Sequence, residues 1–274
     1  MTEILTHWPI LIALICTGIA AGILAGLLGV GGGIVIVPVL YFLLPQFGVS
    51  YESAMVIATA TSLATIVPTA ISSIKAHHKK GNIDQSLLFF WAGFIAIAAV
   101  LGSLLANQLK GQTLTILFGV IAILVSCNML FRAGARPLFQ QLPAKPLQAL
   151  LASFVGSCSV MIGIGGGTLG VPILSSFNVS AHRAVGTAAA FGLIIALTGV
   201  ITLIITGVTP TDAPFGTVGL INLPAFCAIV PLTVLFAPVG VKIGSLMNQQ
   251  QLKKCFAVAL MITGSRMLYS TLGG

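Results

Sequence analysis

Two glycine-rich blocks that are similar in sequence interrupt the apolar sequence of this chain. GVGGGIVIVPVL (Gly29–Leu40) recurs 134 positions later as GIGGGTLGVPIL (Gly163–Leu174), with the glycine triplet, the proline and the last leucine in register. Three glycines followed by a proline cannot readily continue a regular helix. Each block therefore predicts a break in a helix, and the repetition predicts that the chain consists of two related halves.

The apolar runs around these breaks are long enough to cross a bilayer. The chain is 57% hydrophobic and only 6% charged, whereas a soluble domain has roughly 25% charged residues. Apolar runs of about 20 residues recur from one end of the chain to the other. The predicted fold class is an all-α polytopic membrane protein, and we expect it to lie in the cell (inner) membrane as a multi-pass protein.

Further matches extend the repeat to the ends of the two halves. With an offset of 138, Gly102, Leu114, Phe118, Met129 and Leu130 match Gly240, Leu252, Phe256, Met267 and Leu268. The predicted hydrophobic segments lie near 8–30, 33–45, 52–74, 85–107 and 112–132 in the first half, and near 147–163, 167–178, 183–207, 220–242 and 252–271 in the second. The polar, proline-containing stretch 133–146 is predicted to be a cytoplasmic connector between a first membrane repeat, 1–132, and a second, 147–274.

The short second segment of each half decides the predicted topology. About 12 residues of helix span roughly 18 Å, which is too short for a hydrocarbon core of about 30 Å. If each short segment returns to the side from which its predecessor came, ten Lys and Arg face the cytoplasm and two face outward. If the pair makes a single crossing, the numbers are seven and five. The positive-inside rule favours the returning pair, which gives two inverted-topology repeats with both termini outside.

The tips of the two broken helix pairs form the predicted binding site. Inverted halves bring the triplets Gly31–Gly33 and Gly165–Gly167 together near the bilayer midplane. The helix after each triplet then presents free N–H groups and the positive end of its dipole, to which an anion binds. Valine at Gly32 or Gly166 is expected to abolish binding and leave the protein folded. Close packing between helices is the alternative explanation of the glycines.

Hydroxyl side chains near the glycines suit an oxyanion because they donate hydrogen bonds without placing a charge in the membrane. Thr61 and Ser62 lie on the third segment, Thr187 is the counterpart of Thr61, and Thr168 directly follows the second triplet. The alternative role of Thr59, Thr61 and Thr187 is a bond to the helix carbonyl four residues earlier. The predicted substrate-binding residues are Gly31, Gly32, Gly33, Thr61, Ser62, Gly165, Gly166, Gly167, Thr168 and Thr187.

The distribution of charged residues argues against several other functions. The four acidic residues, Glu3, Glu52, Asp84 and Asp212, lie at segment ends or in loops, so none sits mid-span where a proton relay would need it. The sequence contains neither HExxH nor GxSxG, and we expect no enzyme activity, no metal and no cofactor. The basic residues lie mostly in short loops, so we expect no nucleic-acid binding, and we interpret Lys79 and Lys80 as orientation signals.

These motifs together resemble the TauE/SafE family of sulfite exporters and related anion permeases. The resemblance rests on the two GxGGG…P blocks, on TSL (Thr61–Leu63) and on KAHHKKGNID (Lys75–Asp84), and it covers essentially the whole chain. It implies a secondary transporter of sulfite, organosulfonates or similar anions, with the lipid bilayer and a small anion as partners. The second half departs from this pattern, since it has Thr187-Ala188 where the first half has Thr61-Ser62. A passive anion channel and a transporter of another small carboxylate or inorganic anion remain alternatives, and self-association is left open.

Overall fold

Helices account for nearly all of the described structure. The computed structural model describes residues 2–131, 137–246 and 249–272, and the side chains of all of these except 2–8, 249–253, 255, 256 and 259. The helices are α1 (Thr2–Leu28), α2 (Gly33–Leu43), α3 (Tyr51–His78), α4 (Gln85–Gln108), α5 (Gly111–Phe131), α6 (Lys145–Met161), α7 (Gly167–Ser176), α8 (Ala181–Thr206), α9 (Leu223–Gly244) and α10 (Gln249–Leu272). A short 3-10 turn, Leu44–Phe47, follows α2, and two paired strands, β1 (Thr217–Val218) and β2 (Ile221–Asn222), precede α9. The predicted all-α class is confirmed.

The long helices have the length and composition of membrane spans. Within the described ranges, α1 (from Pro9), α3, α4, α5, α8 and α9 are long and apolar enough to cross a bilayer. Large apolar side chains such as Phe89, Leu101, Ile205 and Leu235 are exposed on the outer surface of the helix bundle. A surface of this kind is stable against lipid and not against water. The molecule is a multi-pass membrane protein.

Two helix pairs, each made of one helix from each half, correspond to each other. α1 packs in parallel with α9, and α6, which corresponds to α1, packs in parallel with α4. The close contacts are Gly22–Thr233 and Gly26–Ala237 for the first pair, and Gly156–Ile95 and Gly102–Ser157 for the second. Glycine occupies these positions because the backbone of the partner helix lies where a side chain would be.

Corresponding helices also pack directly against each other, and they do so in antiparallel directions. This holds for α3 with α8 and for α5 with α10. The contacts are Leu63–Gly199 for the first pair, and Gly119–Gly264 and Ser126–Ala257 for the second. Asn82, in the loop that follows α3, contacts Gly186 near the start of α8. α3 and α8 are central, since nearly every residue of Ala54–Ile66 and of Ala184–Gly192 is buried. The two halves are thus joined through these central helices.

The positive residues collect at one end of the bundle, which we call the basic face. It carries Lys75, Lys79, Lys80, Lys145, Arg183, Lys242 and Lys254, whereas Lys110 and Arg266 lie toward the opposite face. The basic residues Arg132 and Arg136 lie outside the described residues, as does the predicted boundary between 132 and 133. The described part of the connector packs against the end of α7, where the rings of Phe139 and Phe177 stack with centroids 5.0 Å apart.

A carboxylate fastens the loop before β1 to the start of α3 on the opposite face. Asp212 accepts hydrogen bonds from the N–H of Ser50 at 2.8 Å and from the hydroxyl of Ser53 at 2.6 Å. These two bonds, that of Ser53 first, lower the pKa of Asp212 from 3.8 to about 2. The loop therefore stays fixed to α3 at any pH well above 4, where the carboxylate is ionised in both the folded and the unfolded chain.

Candidate functional site

The two predicted helix breaks are present, and they cross each other in the interior. The first break occupies residues 29–32 between α1 and α2, and the second occupies 162–166 between α6 and α7. Gly32 precedes α2 with φ 82°, and Gly31 has φ 74°, a backbone conformation that is strained for other residues. All residues of both breaks are buried.

Glycines at alternate positions of the two breaks lie in direct backbone contact. A Cβ atom at Gly33 would collide with the carbonyl oxygen of Gly163, and one at Gly167 would collide with that of Gly29. Between these contacts, a Cβ at Gly31 would lie 3.6 Å from the Cα of Gly165. Close packing therefore requires glycine at these positions whether or not a ligand binds.

Gly32 and Gly166 face away from the crossing. A Cβ atom at Gly32 would lie 2.9 Å from the carbonyl oxygen of Ala21, and one at Gly166 would lie 2.6 Å from the Cβ of Phe191. Phe191 in turn stacks on Trp91, with ring centroids 5.3 Å apart and planes 4° apart. This fully buried aromatic pair closes the space behind the second break.

The glycine triplets leave a group of buried N–H donors without acceptors. Among the described residues, none accepts a hydrogen bond from the backbone N–H of Gly31, Gly32 or Gly33, or from that of Gly165, Gly166 or Gly167. The first N–H groups of any helix lack intrahelical acceptors, and a buried donor without a partner costs about 1–3 kcal/mol. The positive ends of the α2 and α7 dipoles converge on the same place. The arrangement is chemically suited to a small anion.

Two threonine hydroxyls in this region also lack partners. Thr168 follows the second triplet, and Thr59 on α3 contacts Gly163, whose Cβ would lie 2.8 Å from the Cα of Thr59. Both side chains are at least nine-tenths buried, and neither Oγ1 has a hydrogen-bond partner within the described ranges. The interpretation of Thr59 as bonding back to its own helix is therefore wrong. Thr168, a predicted site residue, has an unused donor.

The other predicted hydroxyls make contacts within the protein. Ser62 donates to the carbonyl oxygen of Gly163 at 2.7 Å and so holds the second break against α3. Thr61 accepts a hydrogen bond from the N–H of Asn222, and its counterpart Thr187 accepts one from the N–H of Asp84, both at 2.9 Å. The role of these three side chains in binding a substrate stays a prediction.

Thr61 and Thr187 hold equivalent helix starts. Asn222 caps α9 through its bond from the N–H of Ala225 at 3.0 Å, and Asp84 caps α4 through its bond from the N–H of Leu87 at 3.1 Å. Sequence reasoning missed this pairing because Asn222 and Asp84 are different residue types in loops of different length.

Of the two capping residues, Asp84 is charged and Asn222 is not. Its carboxylate accepts a hydrogen bond from the Ser86 hydroxyl at 2.6 Å and lies 3.3 Å from the guanidinium of Arg183. The Ser86 bond, the Leu87 bond and Arg183 keep the pKa of Asp84 below its usual value in spite of partial burial. The ion pair links the start of α4 to the start of α8 on the basic face.

Comparison with known proteins places the chain in a family. The sequence profile described as "Sulfite exporter TauE/SafE" matches residues 14–267. A "Probable membrane transporter protein" of Haemophilus influenzae is 31% identical over 91% of this chain and 95% of its own length. "Probable membrane transporter protein YunE" of Bacillus subtilis is 27% identical over 94% and 97%, and a relative of Xylella fastidiosa is 33% identical over 68% and 73%. No solved structure matches the chain. The chain belongs to the TauE/SafE family of membrane transporters.

Proposed function

We propose that this TauE/SafE family member is a secondary transporter of small sulfur-containing oxyanions, with sulfite or an organosulfonate as substrate. The observation that carries the proposal is the group of buried, unpaired N–H donors at Gly31–Gly33 and Gly165–Gly167. Together with the free hydroxyl of Thr168, these donors match a compact anion with several acceptor oxygens. No fixed charge is needed, because neutral donors and helix dipoles supply the attraction.

The packing of the helices supports a mechanism of alternating access between two inverted-topology repeats. Corresponding helices α3 and α8 are antiparallel, as are α5 and α10, and inverted halves require this. Gly31 and Gly165 are in contact between the two sides, so no open path runs through the crossing in this conformation. A passive anion channel, the alternative, would need such a path. Concentrative uptake into proteoliposomes driven by an ion gradient would distinguish a transporter from a channel.

Ligand binding to the purified protein is the direct test of the substrate class. We expect sulfite or a sulfonate such as methanesulfonate to raise the melting temperature in a panel that also contains sulfate, acetate and other carboxylates. A ligand at 100 times its Kd stabilises the native state by about 2.7 kcal/mol, which corresponds to roughly 5–10 °C for a protein of this size. A panel in which only carboxylates shift the melting temperature would replace the proposed substrate class with the alternative one.

The orientation in the membrane gives a further prediction. Since the basic face is expected to lie in the cytoplasm, both termini and the loop that contains Asp212 are expected outside, and the loop between α3 and α4 inside. Single cysteines introduced at these places in a Cys-free protein should react with impermeant reagents from the corresponding side of intact cells. A C-terminus labelled only from the cytoplasm would contradict the inverted arrangement.

A further inference from the structure

Two small cavities lie on opposite sides of the glycine crossing. The basic-face cavity, of about 20 Å³, is lined by Val185 and by the polar residues His77, Lys80, Asn82, His182 and Ser245, among others. The opposite-face cavity, of about 10 Å³, is lined by Val56, Thr59, Asn107, Val160, Leu203 and Leu220 among others. Each has room for about one water molecule. Neither of these two cavities is large enough to admit a substrate in this conformation.

The two cavities are related by the sequence repeat, position by position. Offset 134 of the glycine blocks relates Gly26 to Val160, and offset 138 of α4 and α9 relates Asn82 to Leu220 and Asn107 to Ser245. Offset 126, which relates Thr61 to Thr187, also relates His77 to Leu203, Val56 to His182 and Thr59 to Val185. The two cavities therefore lie at corresponding places of the two related halves.

Each cavity has a lining residue that contacts one of the two helix breaks. Val185, which lines the basic-face cavity, contacts Gly29 through its carbonyl oxygen. Thr59, in the opposite-face cavity, contacts Gly163. The backbone contact of Gly31 with Gly165 lies between these two points. The crossing therefore lies between the two cavities, each of which borders one of the two helix breaks.

The chemistry of the two linings differs although their positions correspond. In the basic-face cavity, the Lys80 ammonium donates to the carbonyl oxygen of Val241 at 3.2 Å and to the hydroxyl of Ser245 at 3.0 Å. His77 Nε2 lies 2.9 Å from the carbonyl oxygen of Gly26, and its Nδ1 lies 3.4 Å from the amide nitrogen of Asn82.

Three polar positions of the basic-face cavity are apolar in the opposite-face cavity, and none of the residues that line the opposite-face cavity is charged. Leu203 stands in place of His77, Leu220 in place of Asn82, and Val56 in place of His182. A cleft lined by positive charge concentrates anions and raises their association rate. An uncharged cleft does not.

We propose that the basic-face cavity is a vestibule that collects anions for the site, with Lys80 as its charged residue, and that the opposite-face cavity is a neutral passage. This inference rests on the proposed function, since it assumes that the substrate is an anion. It assigns Lys80 a role that the sequence did not predict, because the positive-inside rule accounts for Lys79 and Lys80 equally well. The structure distinguishes the two residues: Lys80 lines the cavity and bonds to the end of α9, whereas Lys79 does neither.

The charge of the vestibule can be measured with thiol reagents of opposite charge. In a Cys-free protein, Ser245→Cys places a thiol in the basic-face cavity, and Asn107→Cys places one at the corresponding position opposite. At each thiol, the measured quantity is the reaction rate of the anionic sulfonate reagent MTSES divided by that of the cationic reagent MTSET. We expect this rate ratio to be higher at Ser245→Cys than at Asn107→Cys. Adding Lys80→Gln should lower this rate ratio at Ser245→Cys by about tenfold. High salt should also lower the ratio at Ser245→Cys, because it screens the charge of Lys80.

Lys79→Gln is the matched control, because it removes the same charge from the same loop. We expect it to change the ratio at Ser245→Cys by less than about twofold, and neither substitution to change the ratio at Asn107→Cys. Equal effects of Lys79→Gln and Lys80→Gln would overturn the vestibule in favour of a diffuse positive surface. An unchanged rate ratio in Lys80→Gln would also overturn the vestibule. This readout needs no bound substrate, so its failure is distinct from a failure of the ligand panel to identify an anion.

Discussion

Gly33→Ala is expected to lower the stability of the protein by roughly 3 kcal/mol or more and to abolish transport. A Cβ at Gly33 would collide with the carbonyl oxygen of Gly163 and lie 2.8 Å from the hydroxyl of Ser62. Neither atom can move freely, since one belongs to the backbone of the second break and the other is bonded to it. Overpacking of a rigid interior costs about 1–3 kcal/mol and sometimes more, so the melting temperature in detergent should fall by roughly 6–12 °C.

Gly170→Ala is the control for this substitution. Gly170 lies in α7, close to the second break, but a Cβ there would meet the Phe191 ring at 3.4 Å and the Cβ of Ala188 at 3.5 Å, which are ordinary contacts. Alanine also favours helix by about 1 kcal/mol over glycine, so the melting temperature should be unchanged or higher. Equal melting temperatures for Gly33→Ala and the wild type would show that the breaks are not in the close contact described above.

The same contacts change what valine at Gly32 or Gly166 is expected to do. The sequence predicts that these variants lose anion binding and remain folded. In the structure, a Cβ at Gly166 would lie 2.6 Å from the Cβ of Phe191 and 2.8 Å from the backbone nitrogen of Gly192. We therefore expect both variants to lose stability together with binding, so they do not separate the two properties.

Thr168→Val is expected to separate binding from folding. Its Oγ1 is buried and has no partner among the described residues, so replacing the hydroxyl by a methyl group breaks no bond in the ligand-free protein. The ligand-free melting temperature should be unchanged or slightly higher. A hydrogen bond to a charged ligand contributes about 1.5–3 kcal/mol, so the Kd of the anion identified in the panel should rise by roughly 10- to 100-fold. Isothermal titration calorimetry in detergent measures this change.

Thr69→Val is the matched control, with the opposite expected result. The hydroxyl of Thr69 donates to Thr233 Oγ1 at 2.6 Å and lies 2.7 Å from the carbonyl oxygen of Thr65, and all three residues are buried. Removing it should lower the melting temperature by the loss of about 1–3 kcal/mol and leave the Kd unchanged. If Thr168→Val bound the anion as tightly as the wild type, Thr168 would not belong to the site.

Local sequence patterns were sufficient to predict the helices and the positions of the breaks. The apolar runs predicted ten segments, and the structure has ten α-helices among its described residues. The short lengths of α2 and α7 were predictable because glycine and proline mark a helix break locally in the sequence. The alternation of contacts along the two triplets could not be predicted in the same way. It depends on how two distant backbones cross, and every glycine of a triplet looks the same in the sequence.

Side-chain roles depended still more on long-range contacts. Thr61 and Ser62 are adjacent in sequence, yet one binds the cap of α9 and the other binds the second break. His77 and His78 are adjacent and identical in the sequence, but His78 is exposed, whereas His77 is 4% exposed and bonded to α1. The neighbours that decide these roles lie more than 50 positions away along the chain, beyond the reach of any local pattern.

The crossing of the two breaks also has a mechanical consequence. At Gly29, Gly31 and Gly33 the two breaks touch through backbone atoms and not through interlocked side chains of their own. Packed cores resist small displacements because their side chains interlock. We propose that this backbone contact acts as a pivot about which α2 and α7 rotate together. In the alternating-access mechanism proposed above, we expect a rotation that widens the basic-face cavity to narrow the opposite-face cavity, so that the two faces open in turn.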